Sequence, residues 1–199
     1  MPVPALLRTE RLLLRPWRPE DAPALYPVLE ANRAHLGPWI PARVAEPAPV
    51  PELAERLAGF AADFQAEREW RYGLFTPAED RVLGEVGLFP RDAAGRVPYP
   101  AADRIEIGYW LRADCTGQGL VTEAARAVLA VAAALPGLTQ VEIRCDARNA
   151  PSAAVPRRLG FVLTATIPQA AGPHEAAAEL QLWTRGLAGD RARRPDPGT

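Results

Sequence analysis

The chain reads as a single mixed α/β domain, and three observations support that class. Short β-rich segments and amphipathic helical segments follow one another in the order β α α β β β α β α β β. Only the strands flanking the helical run Leu120 to Leu135 require a parallel crossover, so the sheet is expected to be mixed and mostly antiparallel, with six to seven strands and about four helices. At 199 residues the chain has room for one real core and not comfortably for two.

The first apolar run, Arg11 to Pro16, has strand length, and Pro19-Glu20-Asp21 then places Pro and acids where a helix begins. Leu25, Val28 and Leu29 recur at helical spacing. Five prolines and a glycine between Ala31 and Pro51 predict a long loop there, the kind of segment that acts as a mobile lid over a site. Leu53, Leu57, Phe60 and Phe64 share one face of a helix over Glu52 to Glu67. Strands are expected at Tyr72 to Thr76 and Val82 to Phe89, on either side of a turn at Pro77 to Asp80.

A second Pro/Gly-rich loop, Pro90 to Asp103, leads to a strand over Arg104 to Leu111. The crossover helix Leu120 to Leu135 turns Leu120, Ala124, Val128, Val131 and Ala132 to one side and is stopped by Pro136-Gly137. Val141 to Cys145 alternates as a strand. Asn149 then caps a short helix with Pro151 at its first position, and strands follow at Phe161 to Ile167 and about Glu179 to Thr184. The domain is expected to span residues 1–187, with a charged, Pro/Gly-rich, disordered tail at 188–199.

Composition removes several function classes. All 23 basic residues are Arg against 24 acids, a net charge of −1, which disfavours DNA and anionic membranes as partners. Without any Lys, a Walker-type phosphate loop and a pyridoxal Schiff base are both impossible. The two cysteines, Cys115 and Cys145, are too few for a disulfide framework, and neither has a His nearby in its motif to make it a nucleophile. His35 and His174, the only histidines, lack ligand-spaced neighbours, so no metal site is expected. The N-terminus lacks a signal-peptide pattern and no apolar run approaches a membrane span, which points to a cytoplasmic protein.

The run Thr116-Gly117-Gln118-Gly119-Leu120-Val121-Thr122 opens the crossover helix. A glycine loop there exposes backbone N–H groups at the positive end of the helix dipole, a place suited to an anion, although two glycines one residue apart are also an ordinary turn. A dinucleotide fingerprint would need a third glycine, which is absent.

Five pieces then occur in a fixed order: TERLLLRPWRPEDA, HLGPWIP, EIGYWL, TGQGLVTEAARAVL and NAPSAAVPRRLGF. Together, from about Leu7 to Arg185, they resemble the GNAT superfamily of acyl-CoA-dependent N-acyltransferases, in its RimJ/RimL-type branch. The resemblance implies a sheet split like a V between its two central parallel strands, with the pantetheine arm of acetyl-CoA in the gap. It also implies direct attack of an amine on the thioester and leaves a homodimer open, with Trp183 either at an interface or in the core. Two departures stand out. Thr116 occupies the Gln/Arg position that opens the family's pyrophosphate loop and Val121 its last Gly/Ala position, and Pro156 stands where many members carry a Tyr that protonates the thiolate.

Carried onto this sequence, the resemblance assigns donor binding to the loop Thr116 to Thr122, to backbone groups of Trp110, Leu111 and Arg112, and to Asn149 and Ser152. Ser152 is placed near the thioester sulfur, as an acid for the thiolate or as a helix N-terminal cap. Glu106 is the candidate base and acceptor contact, or else a strand-surface carboxylate turned away. Trp39 and Tyr109 are expected at the acceptor, Trp39 either as pocket wall or as a buried anchor. Arg157 and Arg158 either reach the nucleotide phosphates or are solvated. The expected activity is acetyl transfer to a primary amine of a protein N-terminus or a small molecule. The alternative is a CoA-binding module that has lost turnover.

Overall fold

A computed structural model of the chain describes residues 2–169 and 178–187; the expected tail and His174 lie outside the described residues. Strands β1 (Leu7–Arg8), β2 (Leu13–Pro16), β3 (Trp70–Phe75), β4 (Val82–Arg91), β5 (Arg104–Leu111), β6 (Gln140–Asp146), β7 (Val162–Gln169) and β8 (Ala178–Gly186) form one sheet. Their order is β1-β2-β3-β4-β5-β6-β8-β7. The helices are α1 (Ala22–Leu36), α2 (Ala42–Ala45), α3 (Val50–Gln65), α4 (Leu120–Ala134) and α5 (Ala150–Arg158). The strand beyond the expected six or seven is β1, whose two residues are too few to show a period.

Among the described strands every pairing is antiparallel except β5 with β6, which pair only at Arg104↔Gln140, Ile105↔Val141 and Glu106↔Glu142 and then part. The crossover between them is α4, as its flanking strands require. The V-shaped split is therefore present, with its vertex at Glu106 and Glu142.

Alternation along β5 divides the core. Ile105, Ile107 and Leu111 join Val128 and Ala132 of α4 under one face, while Trp110 joins Leu36, Val44, Leu53 and Leu57 of α1 to α3 under the other. Leu53 and Leu57 are fully buried at the predicted helical spacing, each worth about 1.5–3 kcal/mol of transfer free energy. Trp183 belongs to the first core, as does Leu187 at the end of the expected domain.

The segment from Ala31 to Pro51 corrects the expected long loop. α1 runs on past Pro27 to Leu36 because Leu25, Val28, Leu29, Asn32 and Leu36 keep one face buried. Beyond it α2 and the start of α3 are helical, and what remains of the expected loop is two short links, residues 37–41 and 46–49. Prolines stand at or before the starts of α2 and α3, where a missing N–H costs no helical bond. Asn149 caps α5 as expected, its Oδ1 accepting from Ser152 N at 3.1 Å, but Pro151 is the second helical residue and not the first. Among the described residues, no helix is long and apolar enough to cross a membrane.

Candidate active site

The glycine loop sits where β5 leaves the split. A single helical turn, Ala113–Cys115, connects the strand to it, and Ala113 N donates to Asn32 Oδ1 at 2.7 Å, tying the loop to α1. Gly117 and Gly119 hold φ of 76° and 79°, the left-handed region that a side chain resists. Gly119 is the N-cap of α4 and brings no side chain to its first turn, so the amides there stay open to a ligand. Thr116 spends its hydroxyl on Ala113 O at 2.8 Å, and Gln118 points its amide at Asp114 O.

An ionic latch from the start of the chain supports this loop. Glu123, in the first turn of α4, accepts from Thr9 Oγ1 at 2.5 Å, Arg11 N at 3.0 Å and Arg11 Nε at 2.8 Å. Arg11 Nη1 in turn donates to Gln118 O at 2.9 Å. Burial works against the Glu123 anion, but the Thr9 and Arg11 donors and the Arg11 charge outweigh it and hold the carboxyl below its ordinary range. Thr9 and Arg11 lie in the TERL run, whose side chains have no role that sequence alone assigns.

The loop forms one end of a cavity of about 880 Å³, toward the upper end of the sizes typical of small-molecule sites. Of the expected donor-side residues, Thr116, Gly117, Gly119 and Leu120 to Thr122 line it, as do Asn149 and Ser152. Arg126 and Arg158 add positive charge to the wall, whereas Arg157 lies over the Trp183 ring at 5.1 Å. The phosphate-facing role weighed for Arg158 thus fits its position, and the one for Arg157 does not.

The open edge of β5 follows from its pairing. Arg112 N donates to Leu83 O at 2.9 Å, so the main-chain groups of Arg112 and, two residues back, Trp110 point to β4. Those of Leu111, Tyr109 and Ile107 point the other way, into the split. Of the three residues expected to offer backbone contacts, Trp110 and Leu111 line the cavity, but only Leu111, with Tyr109 beside it, turns its main-chain groups into the split; Arg112 and Gln118 are absent from the cavity wall.

Ser152 and Tyr109 meet on the cavity wall. The Tyr109 hydroxyl donates to Ser152 O at 3.0 Å, and Ser152 Oγ donates to the Tyr109 hydroxyl at 3.3 Å. Burial pushes the Tyr109 phenol well up, with the Ser152 contact opposing, so it stays protonated. A phenol thus stands beside Ser152 although Pro156 removes the one expected from the helix. Burial also pushes up both Cys145 and Cys115, which keeps them as thiols.

Glu106 is not on the cavity wall. It lies opposite Phe89, on the sheet face shared with Gly108 and Trp110, and its Oε2 accepts from Arg91 Nη1 at 2.7 Å. Next to it Glu142, fully buried, is held by Arg144 at 2.9 Å and Arg104 at 3.4 Å. The expectation that Glu106 faces the reacting atoms is corrected: a neighbouring Arg fixes it at the vertex of the split.

The far wall is supplied by the end of α1 and the turn after it, with His35, Leu36, Trp39 and Ile40. Trp39 is 38% exposed and so is pocket wall, not buried anchor. Among the described residues, no group of three potential metal ligands gathers.

A sheet split between two parallel strands, a glycine loop at its mouth and one cavity lined by both define an acyl-CoA-dependent N-acetyltransferase. The chain belongs to the GNAT acetyltransferases: the Acetyltransferase (GNAT) domain family matches residues 11–162. It is similar to the Bacillus subtilis protein named Probable N-acetyltransferase YjcK, 26% identical over 156 residues, 78% of this chain and 83% of the relative. It is also similar to the ribosomal-protein-serine acetyltransferase of Escherichia coli, 33% identical over 107 residues, 54% and 56% of the two chains. The structure of RimL, a ribosomal L7/L12 α-N-protein acetyltransferase in complex with coenzyme A, has the same fold with a TM-score of 0.76, 22% identity and coverage of 94% and 99%.

Proposed function

We propose that this chain transfers acetyl from acetyl-CoA to a primary amine, the α-amino group of a protein N-terminus, by direct attack without an acyl-enzyme. The carrying observation is the single cavity that joins the glycine loop, the open edge of β5 and the Trp39 wall. The α4 amides and Arg158 bind the donor phosphates, and the edge groups of Tyr109 meet the pantetheine amides. The amine lone pair attacks the thioester carbonyl carbon, the C–S bond breaks and its electron pair goes to sulfur. Ser152 Oγ, backed by the Tyr109 phenol, gives the thiolate its proton and recovers one from the attacking nitrogen. Cys115, though on the wall, is a thiol whose protonation burial favours, which supports attack without a covalent intermediate. A protein acceptor is favoured by the ribosomal substrates in the relatives' names and by the exposed Trp39 at the cavity mouth.

Incubation with acetyl-CoA and a serine-initiated peptide is expected to release CoA and add one acetyl group to the peptide, as read by mass. Acetyl-CoA that raises the melting temperature while no CoA appears with peptides or small amines would identify the non-catalytic module instead.

A further inference from the structure

On the reading that the chain is an N-acetyltransferase, we propose that His35 is the catalytic base that takes the proton from the incoming amine. His35 sits in the last turn of α1 and lines the cavity beside Trp39. Its Nε2 lies 3.2 Å from Leu111 O. A carbonyl only accepts, so Nε2 carries the hydrogen and the lone pair of the neutral ring is on Nδ1. Leu111 O belongs to the edge of β5 that faces the split, and the bond anchors the imidazole on the strand that receives the donor.

Nδ1 has no partner among the described residues, and it is not among the nitrogens sealed from solvent without one, which are Arg91 Nε and Trp110 Nε1. Solvent therefore reaches it, and on the proposal the incoming amine takes that place. The groups that could compete for the ring are engaged elsewhere. On α1, Arg33 pairs with Glu30 at 3.3 Å and with Glu46, just past α2, at 3.4 Å. On β5, the Tyr109 hydroxyl is held by Ser152, and in the following turn Asp114 is held by Arg112 and Arg81 while Cys115 is buried. Of the carboxylates on the cavity wall, Glu123 is latched to Arg11, and Glu10 makes no bond to the imidazole.

The chemistry needs such a group. An α-amine has a pKa of about 7.7–8.0, so near neutral pH most of it arrives as R–NH3⁺ without a nucleophilic lone pair. One proton moves from the ammonium to Nδ1, giving imidazolium and free amine. After attack, the second proton leaves the nitrogen as the thiolate is protonated, and the imidazolium returns its proton to solvent. The products are the amide, CoA–SH and one H⁺. Glu106, fixed by Arg91 off the cavity wall, does not occupy this place.

His35→Gln tests the proposal, because the Gln amide still donates to a carbonyl but does not titrate; His35→Asn is the second variant should the first fail to fold. With acetyl-CoA and the serine-initiated peptide, kcat/KM for the peptide at pH 6.5 is expected to fall about 100-fold, the scale of a lost general base. The acetyl-CoA Kd should stay within about twofold, and the deficit should shrink as pH rises above the amine pKa, where free amine needs no base. A loss equal at pH 6.5 and 9, or rates near wild type throughout, would overturn the assignment while leaving the acetyltransferase reading intact. A wild-type chain that acetylates no amine at any pH would overturn both.

Discussion

At one end of the cavity the wall presents main-chain amides, those of the glycine loop and of α4, held in place by Asn32, Arg11 and Glu123. At the other end it is side chains, with His35, Trp39 and Ile40 hung from the end of α1 and its following turn. A pyrophosphate is a fixed shape with fixed charge, and backbone dipoles that need no reorganisation suit it. An acceptor differs from enzyme to enzyme, and a helix end with one exposed indole is easily altered without touching the donor site. The donor half therefore identifies the family, while the acceptor half carries what is particular to this chain.

The largest way to break that division is Gly119→Leu. Any side chain there resists φ of 79°, by about 1–2 kcal/mol, and covers the α4 amides, whose charge-assisted bonds are worth about 1.5–3 kcal/mol each. The acetyl-CoA Kd measured by calorimetry should rise on the order of 100-fold. Next in size, Ser152→Ala should lower kcat about 10- to 100-fold with acetyl-CoA affinity unchanged, as the proposed roles of the hydroxyl at the leaving sulfur and of the backbone in binding require. Steady-state kinetics beside the same titration separates the two effects.

Trp39→Ala should raise the acceptor KM about 2- to 10-fold, the worth of one aromatic contact of about 0.5–1.5 kcal/mol, and leave the donor KM alone. Glu123→Gln should do the reverse and more weakly, raising the acetyl-CoA KM about 2- to 5-fold, the scale of a partly exposed ion pair, with kcat held. The latch also has a pH signature. Because the folded protein holds Glu123 below its ordinary range, the unfolded chain binds more protons as the solution is acidified. Its stabilisation is full above the ordinary carboxylate range and is lost as pH falls through the lowered value. The melting-temperature gap between wild type and Glu123→Gln should accordingly be present at pH 7 and close on acidification.

What was legible in the sequence follows the same division. β5 was read with its observed bounds, and α4 nearly so, because aromatic alternation and a clean apolar helix face are local signals. The glycine loop was legible because an anion cradle at a helix start needs residues without side chains close together, here Gly117 and Gly119. The segment after Ala31 was misread because its prolines mark helix starts as readily as they mark loops, and only burial of Asn32 and Leu36 distinguishes the two. The latch joins residues more than a hundred positions apart, and no periodicity reports such a contact. Which face Glu106 takes was undecidable from alternation alone and was settled by Arg91. His35 was weighed only as a metal ligand, since its role depends on an edge carbonyl that the fold brings to it.

The most direct test of the division is a side-by-side calorimetric titration of acetyl-CoA into Gly119→Leu, Ser152→Ala and Trp39→Ala. Binding should weaken on the order of 100-fold in the glycine variant alone, with the other two within about twofold of wild type. Comparable losses in all three would contradict a donor site built from main chain and an acceptor wall that stands apart from it.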